Sequence, residues 1–188
     1  MAAPDTKEVF TRYARLKNDR SVWEGHWEEI AERVLPRSRI FTGELTAGDK
    51  RTSKLYDATA AIESLLTPRG SRWHQLRSTD PVLNRDHDVR LWFDQVTSIM
   101  FGYRYSPKAS FSKEMHEGYM ALGAFGTGAL FVDEHPNGGL MYRQVHLSDL
   151  YIAENEMGRV DTVFRKFQVT ARQALRMFED GDLSDNLR

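Results

Sequence analysis

The sequence predicts an α+β fold: N-terminal helices packed on a mostly antiparallel sheet of about four or five strands, built mainly from residues 128–168. Three observations carry this. Up to Phe125 the apolar residues recur at three- and four-residue steps, the spacing of one helix face. After Thr127 they form short runs, starting with Ala129-Leu130-Phe131-Val132, that read as strands bounded by the turn residues Asn137-Gly138-Gly139 and Gly158. Where the period changes sit Gly123, Gly126 and Gly128, which let a helix stop and two backbones approach closely.

Each element follows from local chemistry. Asp5 or Thr6 caps a first helix whose face runs through Phe10, Tyr13 and Ala14. After Asn18-Asp19-Arg20-Ser21 the face resumes with Trp23, Trp27, Ile30, Ala31 and Val34, and Ser21 with Glu24 has capping-box spacing. The pattern reads as two helices, or one long kinked helix, ending at Pro36. The two tryptophans suit core packing or a subunit interface. From Pro36 to Ser53 the periodicity dissolves into loop residues. Arg37, Arg39, Lys50, Arg51 and Lys54 there are either a solvated face or candidate contacts to a DNA backbone.

Residues 54–66 read as a helix with Leu55, Ala58, Ile62, Leu65 and Leu66 on one face, ended by Thr67-Pro68-Arg69-Gly70. Trp73 to Arg77 alternates and suggests a short strand. Asp86 or Asp88 starts the next helix, with Val89, Trp92, Phe93, Val96, Ile99 and Met100 on one face and a stop around Gly102. Lys108 to Leu122 forms a further helix carrying Phe111, Met115, Tyr119 and Leu122. Beyond the glycines, the run at Ala129 reads as a buried strand and Leu140 to His146 as its return. Asp149 to Ala153 and Arg159 to Val169 give two more strands, and Thr170 caps a last helix to Glu179. The chain thus divides into a helical arm (1–36), a basic loop (37–53), a helical region (54–127) and an antiparallel sheet with a C-terminal helix (128–188).

Composition narrows the function classes. Hydrophobic residues are 40% and charged residues 28% of the 188, which suits a folded domain. The net charge of −1 predicts no strong overall attraction to nucleic acid or membrane. Residues 1–77 are mildly basic, with 14 Lys/Arg against 11 Asp/Glu, and the rest is mildly acidic, with 12 against 16. The absence of cysteine excludes disulfides, thiolate zinc sites and a cysteine nucleophile. No apolar run approaches the roughly 18–20 residues of a membrane helix, and the N-terminus lacks a signal-peptide pattern.

The catalytic motifs fail on spacing. Gly123-x-x-Gly126-x-Gly128 follows a helix and leads into a strand, so a helix C-terminus faces it, the wrong pole for phosphate. The histidines His26, His74, His87, His116, His135 and His146 include no H-x-x-x-H pair and no H-E-x-x-H. No G-x-S-x-G is present. No catalytic residue, metal or cofactor is therefore expected. A hydrolase would need a pocket joining His87 or His116 to carboxylates.

The order of several segments resembles the N-terminal part of the head-to-tail connecting (portal) proteins of short-tailed bacteriophages. The segments are Arg12-Tyr13 through Trp23 and Trp27, Glu29-Ile30-Ala31, Val34-Leu35-Pro36-Arg37, Tyr56 to Ala61, Leu66-Thr67-Pro68 with Trp73, Leu122 to Leu130, Tyr151 to Asn155, and Arg159 to Arg165. They cover nearly the whole chain in register. The resemblance implies a wing-like α+β fold and a structural, non-enzymatic role. It implies a homo-oligomeric ring, usually a dodecamer, at the portal vertex of the virion, assembled in the host cytoplasm. Double-stranded DNA would be packaged and ejected through the ring, which would dock a packaging terminase, capsid or scaffold proteins and tail adaptors. It assigns no active-site residue. Proteins of this type are several hundred residues long, with stem and clip mostly beyond the part seen here. The chain is therefore expected to be a fragment, a domain or a degenerate prophage product that does not form a complete portal alone. The segment between Ala60 and Thr67 is also shorter than expected. The competing class is a small nucleic-acid-binding or protein-interaction module without catalytic activity.

Overall fold

The computed structural model describes residues 5–35 and 52–177. Among them the expected α+β class holds, as five α-helices and four strands. The helices are α1 (Thr6–Val34), α2 (Thr52–Leu66), α3 (His87–Arg104), α4 (Phe111–Phe125) and α5 (Ala171–Met177). The strands are β1 (Ala129–Glu134), β2 (Leu140–Val145), β3 (Leu150–Glu154) and β4 (Val160–Arg165). The strands form two separate antiparallel two-stranded sheets, β1–β2 and β3–β4, not one sheet of four or five. No described helix is long and apolar enough to cross a membrane.

The chain divides into two compact units, residues 17–148 and residues 1–16 with 149–188. In the larger unit, α2 packs along α4. Leu55 meets Ala31, Leu35, Val34 and Phe125 in one apolar cluster. Beside it, the Thr67 hydroxyl and the Tyr119 phenol hydrogen-bond at 3.1 Å, a buried polar pair that satisfies both groups. The face of α2 differs from the expected one. Leu55 and Thr59 are buried, and Thr59 donates its hydroxyl proton back to the Leu55 carbonyl at 2.7 Å, while Leu65 is 80% exposed and Leu66 is also outside. Thr59 sits one turn from Leu55, so the packed stripe follows 55 and 59, and Leu65 and Leu66 in the last turn of α2 stay outside it.

The second cluster is aromatic. Phe111 packs edge-on to Tyr142 at 4.9 Å and to Tyr105 at 5.2 Å, and lies parallel to Trp73 at 6.3 Å. Trp73 donates its indole N–H to the Tyr105 oxygen at 3.0 Å, and Arg104 lies 4.8 Å over the indole. This cluster binds the end of α3, the start of α4 and β2 together. Residues 73–77 form no strand. Their polar groups are met by α3 side chains instead: Leu76 N–H donates to Thr97 Oγ1 at 3.1 Å, and Gln75 donates to Asp94. A helix can offer no backbone ladder, so alternation here records contact with a helix surface.

Asp86 caps α3 as expected, accepting from the N–H groups of Asp88 at 2.8 Å and Val89 at 3.2 Å. The start of α4 lies at Phe111, three residues after the expected Lys108, because Ser110 turns the chain with φ 57°. The glycine break is as read. Gly126 ends α4 at φ 75°, donating its N–H to the Leu122 carbonyl. Gly128 passes so close to α4 that an added Cβ would lie 2.9 Å from the Gly118 carbonyl oxygen.

Helix α1 is one continuous element, not two. Ser21 does not cap; its hydroxyl donates to the Asn18 carbonyl and the helix runs on. In the larger unit, Arg20 pairs with Glu24 and donates to the carbonyls of Leu147 at 3.0 Å and Ser148 at 3.2 Å, which ties α1 to the turn after β2. In the smaller unit, Tyr13 meets Tyr151 edge-on at 4.8 Å, with 3.3 Å between the phenol oxygens. There Thr170 and Gln173 form a reciprocal cap: Gln173 Oε1 accepts from Thr170 N–H at 2.9 Å and Thr170 Oγ1 from Gln173 N–H at 3.3 Å.

Candidate assembly surface

The run Ala129 to Val132, read as a buried strand, is half open. Leu130, Phe131 and Val132 are all exposed, on both faces of β1. The hairpin's two edges differ. On β2, Tyr142 N–H donates outward to the Ala109 carbonyl at 3.0 Å, and Gln144 N–H donates outward to Glu114 Oε2 at 2.6 Å. Tyr142 pairs with Val132, and Gln144 pairs with Leu130. In an antiparallel ladder both members of such a pair point away from each other. The N–H and C=O of Leu130 and Val132 therefore face out from the far edge of β1, where no described backbone group meets them. One edge of the hairpin is covered by its own chain; the other is a template for a strand.

A second apolar surface lies on α3. The expected face splits: Phe93, Val96 and Met100 turn inward, whereas Trp92 and Ile99, with Tyr103, are exposed. Steps of seven and four put these three side chains in one stripe. Near its end an open cleft of about 470 Å³ is lined by Met100, Tyr103, Arg104, Glu134, Gly139 and Leu140. On α1, Trp23 is also exposed and Trp27 half-buried, so this pair does not pack as a joint core. Of the rings at 101–105, Phe101 and Tyr105 belong to the internal cluster and Tyr103 alone is turned out.

Of the candidate DNA-backbone contacts, Arg37, Arg39, Lys50 and Arg51 lie outside the described residues. Lys54 is exposed in the first turns of α2.

The titratable groups form structural clasps. His116 on α4 meets Glu63 on α2 at 2.9 Å, and Arg69 pairs with the same carboxylate at 2.8 Å. Burial alone would raise the Glu63 pKa, but the His116 and Arg69 hydrogen bonds and charges outweigh it and hold it below the usual value. His74 stacks on Phe101 at 4.6 Å, and burial, then the Arg104 charge, push its pKa down. His87 stands at the start of α3 and His116 at its clasp, and neither lines the cleft described above. No group of three or more His, Asp or Glu among the described residues is arranged to hold a metal ion. What the arrangement offers is association through apolar surface and an open strand edge. One signal in the sequence foretold it: a strand apolar on both faces needs cover on both, and this hairpin supplies little of it.

Residues 6–188 match the family described as bacteriophage head to tail connecting protein. The chain is 29% identical over 184 residues to a probable portal protein of Bordetella phage BPP-1, covering 93% of this chain and 33% of the relative. It is 27% identical over 198 aligned positions to a portal protein of Salmonella phage epsilon15, covering 100% of this chain and 35% of the relative. The chain thus spans about a third of the length of these curated relatives.

Proposed function

The chain belongs to the bacteriophage head to tail connecting protein family, and from that premise we propose that it is the wing-region part of a portal ring, a structural component of the virion at the portal vertex. The carrying observation is the family match across residues 6–188, joined to two relatives named as portal proteins. The exposed apolar stripe on α3 and the open β1 edge support a chain that buries these surfaces against copies of itself. In this reading the assembly has no catalytic residue. Its partners are double-stranded DNA in the channel, the packaging terminase, capsid or scaffold proteins and tail adaptors. A ring demands heterologous contacts, one surface on each copy meeting a different surface on the next.

Mass measurement by light scattering at several concentrations tests the reading. The expected result is a mass that rises to a multiple of 21.7 kDa. A constant mass of one chain would contradict ring assembly by these 188 residues alone and leave the family membership intact. For the DNA contacts, Arg37, Arg39, Lys50, Arg51 and Lys54 are proposed to meet phosphates. Replacing all five by Gln should remove most of any salt-dependent affinity for duplex DNA, the slope falling by roughly one for each phosphate that is no longer neutralised. An unchanged slope would remove them from that role.

A further inference from the structure

Resting on the ring reading, we propose that the open edge of β1 in one copy pairs with the outer edge of β4 in the next, so that two two-stranded sheets join across the subunit boundary. The first half of the contact is the row of outward N–H and C=O groups on Leu130 and Val132 derived above. The second half follows from the same alternation on the other hairpin. Lys166 N–H donates to the Asp149 carbonyl at 2.8 Å, which makes Asp149 and Lys166 a hydrogen-bonded pair. One residue in, Leu150 and Arg165 point apart; Tyr151 and Phe164 bond; Ile152 and Val163 point apart again. The N–H and C=O of Val163 therefore face out from β4, beside an exposed valine side chain.

Symmetry and charge select this pairing over its alternatives. β1 against β1 would be a two-fold contact, closing a dimer and not a ring. The outer edge of β3, at Ile152, lies between Asp149 and Glu154, and β1 ends in Asp133-Glu134, so that approach sets like charges together. β4 is flanked by Arg159 and Lys166, both exposed. Whether the strands run parallel or antiparallel, the acidic end of β1 meets a cation. Asp161, the one acid within β4, accepts from the Thr162 hydroxyl at 2.9 Å. Strand addition of this kind takes its affinity from the main chain and its selectivity from flanking side chains.

The absence of native cysteine makes the test clean. Val132→Cys and Val163→Cys chains, each exposed at the substituted site, are mixed and treated with a short bismaleimide. A cross-linked dimer is expected in the mixture and not with either variant alone at the same total concentration. Assembly without the mixed cross-link overturns the strand pairing and leaves the ring reading standing. Neither assembly nor cross-link overturns both. Cross-linking of Val132→Cys alone shows the two-fold contact and overturns the proposal. Val132→Pro gives an independent check. Its lost N–H faces away from β2, so the hairpin ladder is kept, and proline suits an edge position. The circular dichroism spectrum should be unchanged and assembly weakened about fivefold to tenfold; undiminished assembly would refute the contact.

Discussion

The hairpin β1–β2 turns through Asn137-Gly138-Gly139 and the hairpin β3–β4 through Asn155 to Gly158, and each closes with a hydrogen bond across the turn, His135 N–H to Gly139 and Asn155 N–H to Arg159. Their strands are of similar length. They differ in what holds them. β2 drives Tyr142 into the ring cluster around Phe111, and its outer edge is bonded to Ala109 and Glu114. β3 places Tyr151 against Tyr13, and the same Tyr13 ring meets Phe164 of β4. An isolated two-stranded sheet is marginal in water, so each hairpin is as stable as its anchorage, and strand propensity here matters less than the helix or ring a strand is fastened to.

The two anchorages should differ most at Phe111. Phe111→Ala empties the cluster that anchors β2 and should cost about 3–5 kcal/mol in denaturant unfolding, whereas Tyr13→Ala, which removes a half-buried ring from Tyr151 and Phe164, should cost about 1–2 kcal/mol. Equal losses would show that the two hairpins are held alike. Next in size is Gly126→Val. An added Cβ at Gly126 meets nothing within 4 Å, so the penalty is conformational, from φ 75° in a β-branched residue. A loss of about 1–2 kcal/mol is expected, with no change in any ligand binding; a neutral substitution would remove the break between α4 and β1 as a determinant of the fold.

The smallest effect is a pH dependence confined to the first hairpin's anchorage. His74 has its pKa lowered from the ordinary 6.5, so the fold favours the neutral ring. The stability this supplies is present above pH 6.5 and is lost as pH falls through the lowered folded value. His74→Phe keeps a ring on Phe101 and removes the proton. Between pH 7 and 5 the wild-type chain should lose more stability than this variant, measured as the shift in denaturant midpoint. Parallel profiles would show that His74 does not titrate within the cluster.

Much of this was legible in the residues. The caps at Asp86 and Thr170, the stop at Gly126 and both hairpin turns act over three or four residues, within reach of local pattern. What was not legible depended on distant partners. Residues 73–77 alternate like a strand, yet their partners are Thr97 and Asp94 on a helix. Ser21 to Glu24 has capping spacing, but the Ser21 hydroxyl bonds back to the Asn18 carbonyl inside a continuous α1, and the neighbouring Arg20 reaches Leu147 and Ser148. The division of the strands into two sheets, and the choice of Trp92, Ile99 and Tyr103 as the outward stripe, depend on which face meets α4 or the 72–76 segment. Periodicity marks a face as apolar without saying what covers it.

The open β1 edge is the point on which the account turns, and amide hydrogen exchange across a concentration series tests it most directly. In dilute solution Leu130 and Val132 should exchange fast while Phe131 and Asp133, bonded to β2, stay protected. As concentration rises, Leu130 and Val132 should become protected as well. Protection of Val132 at every concentration would mean that the chain covers this edge itself, and fast exchange at every concentration would mean that no neighbouring strand ever reaches it.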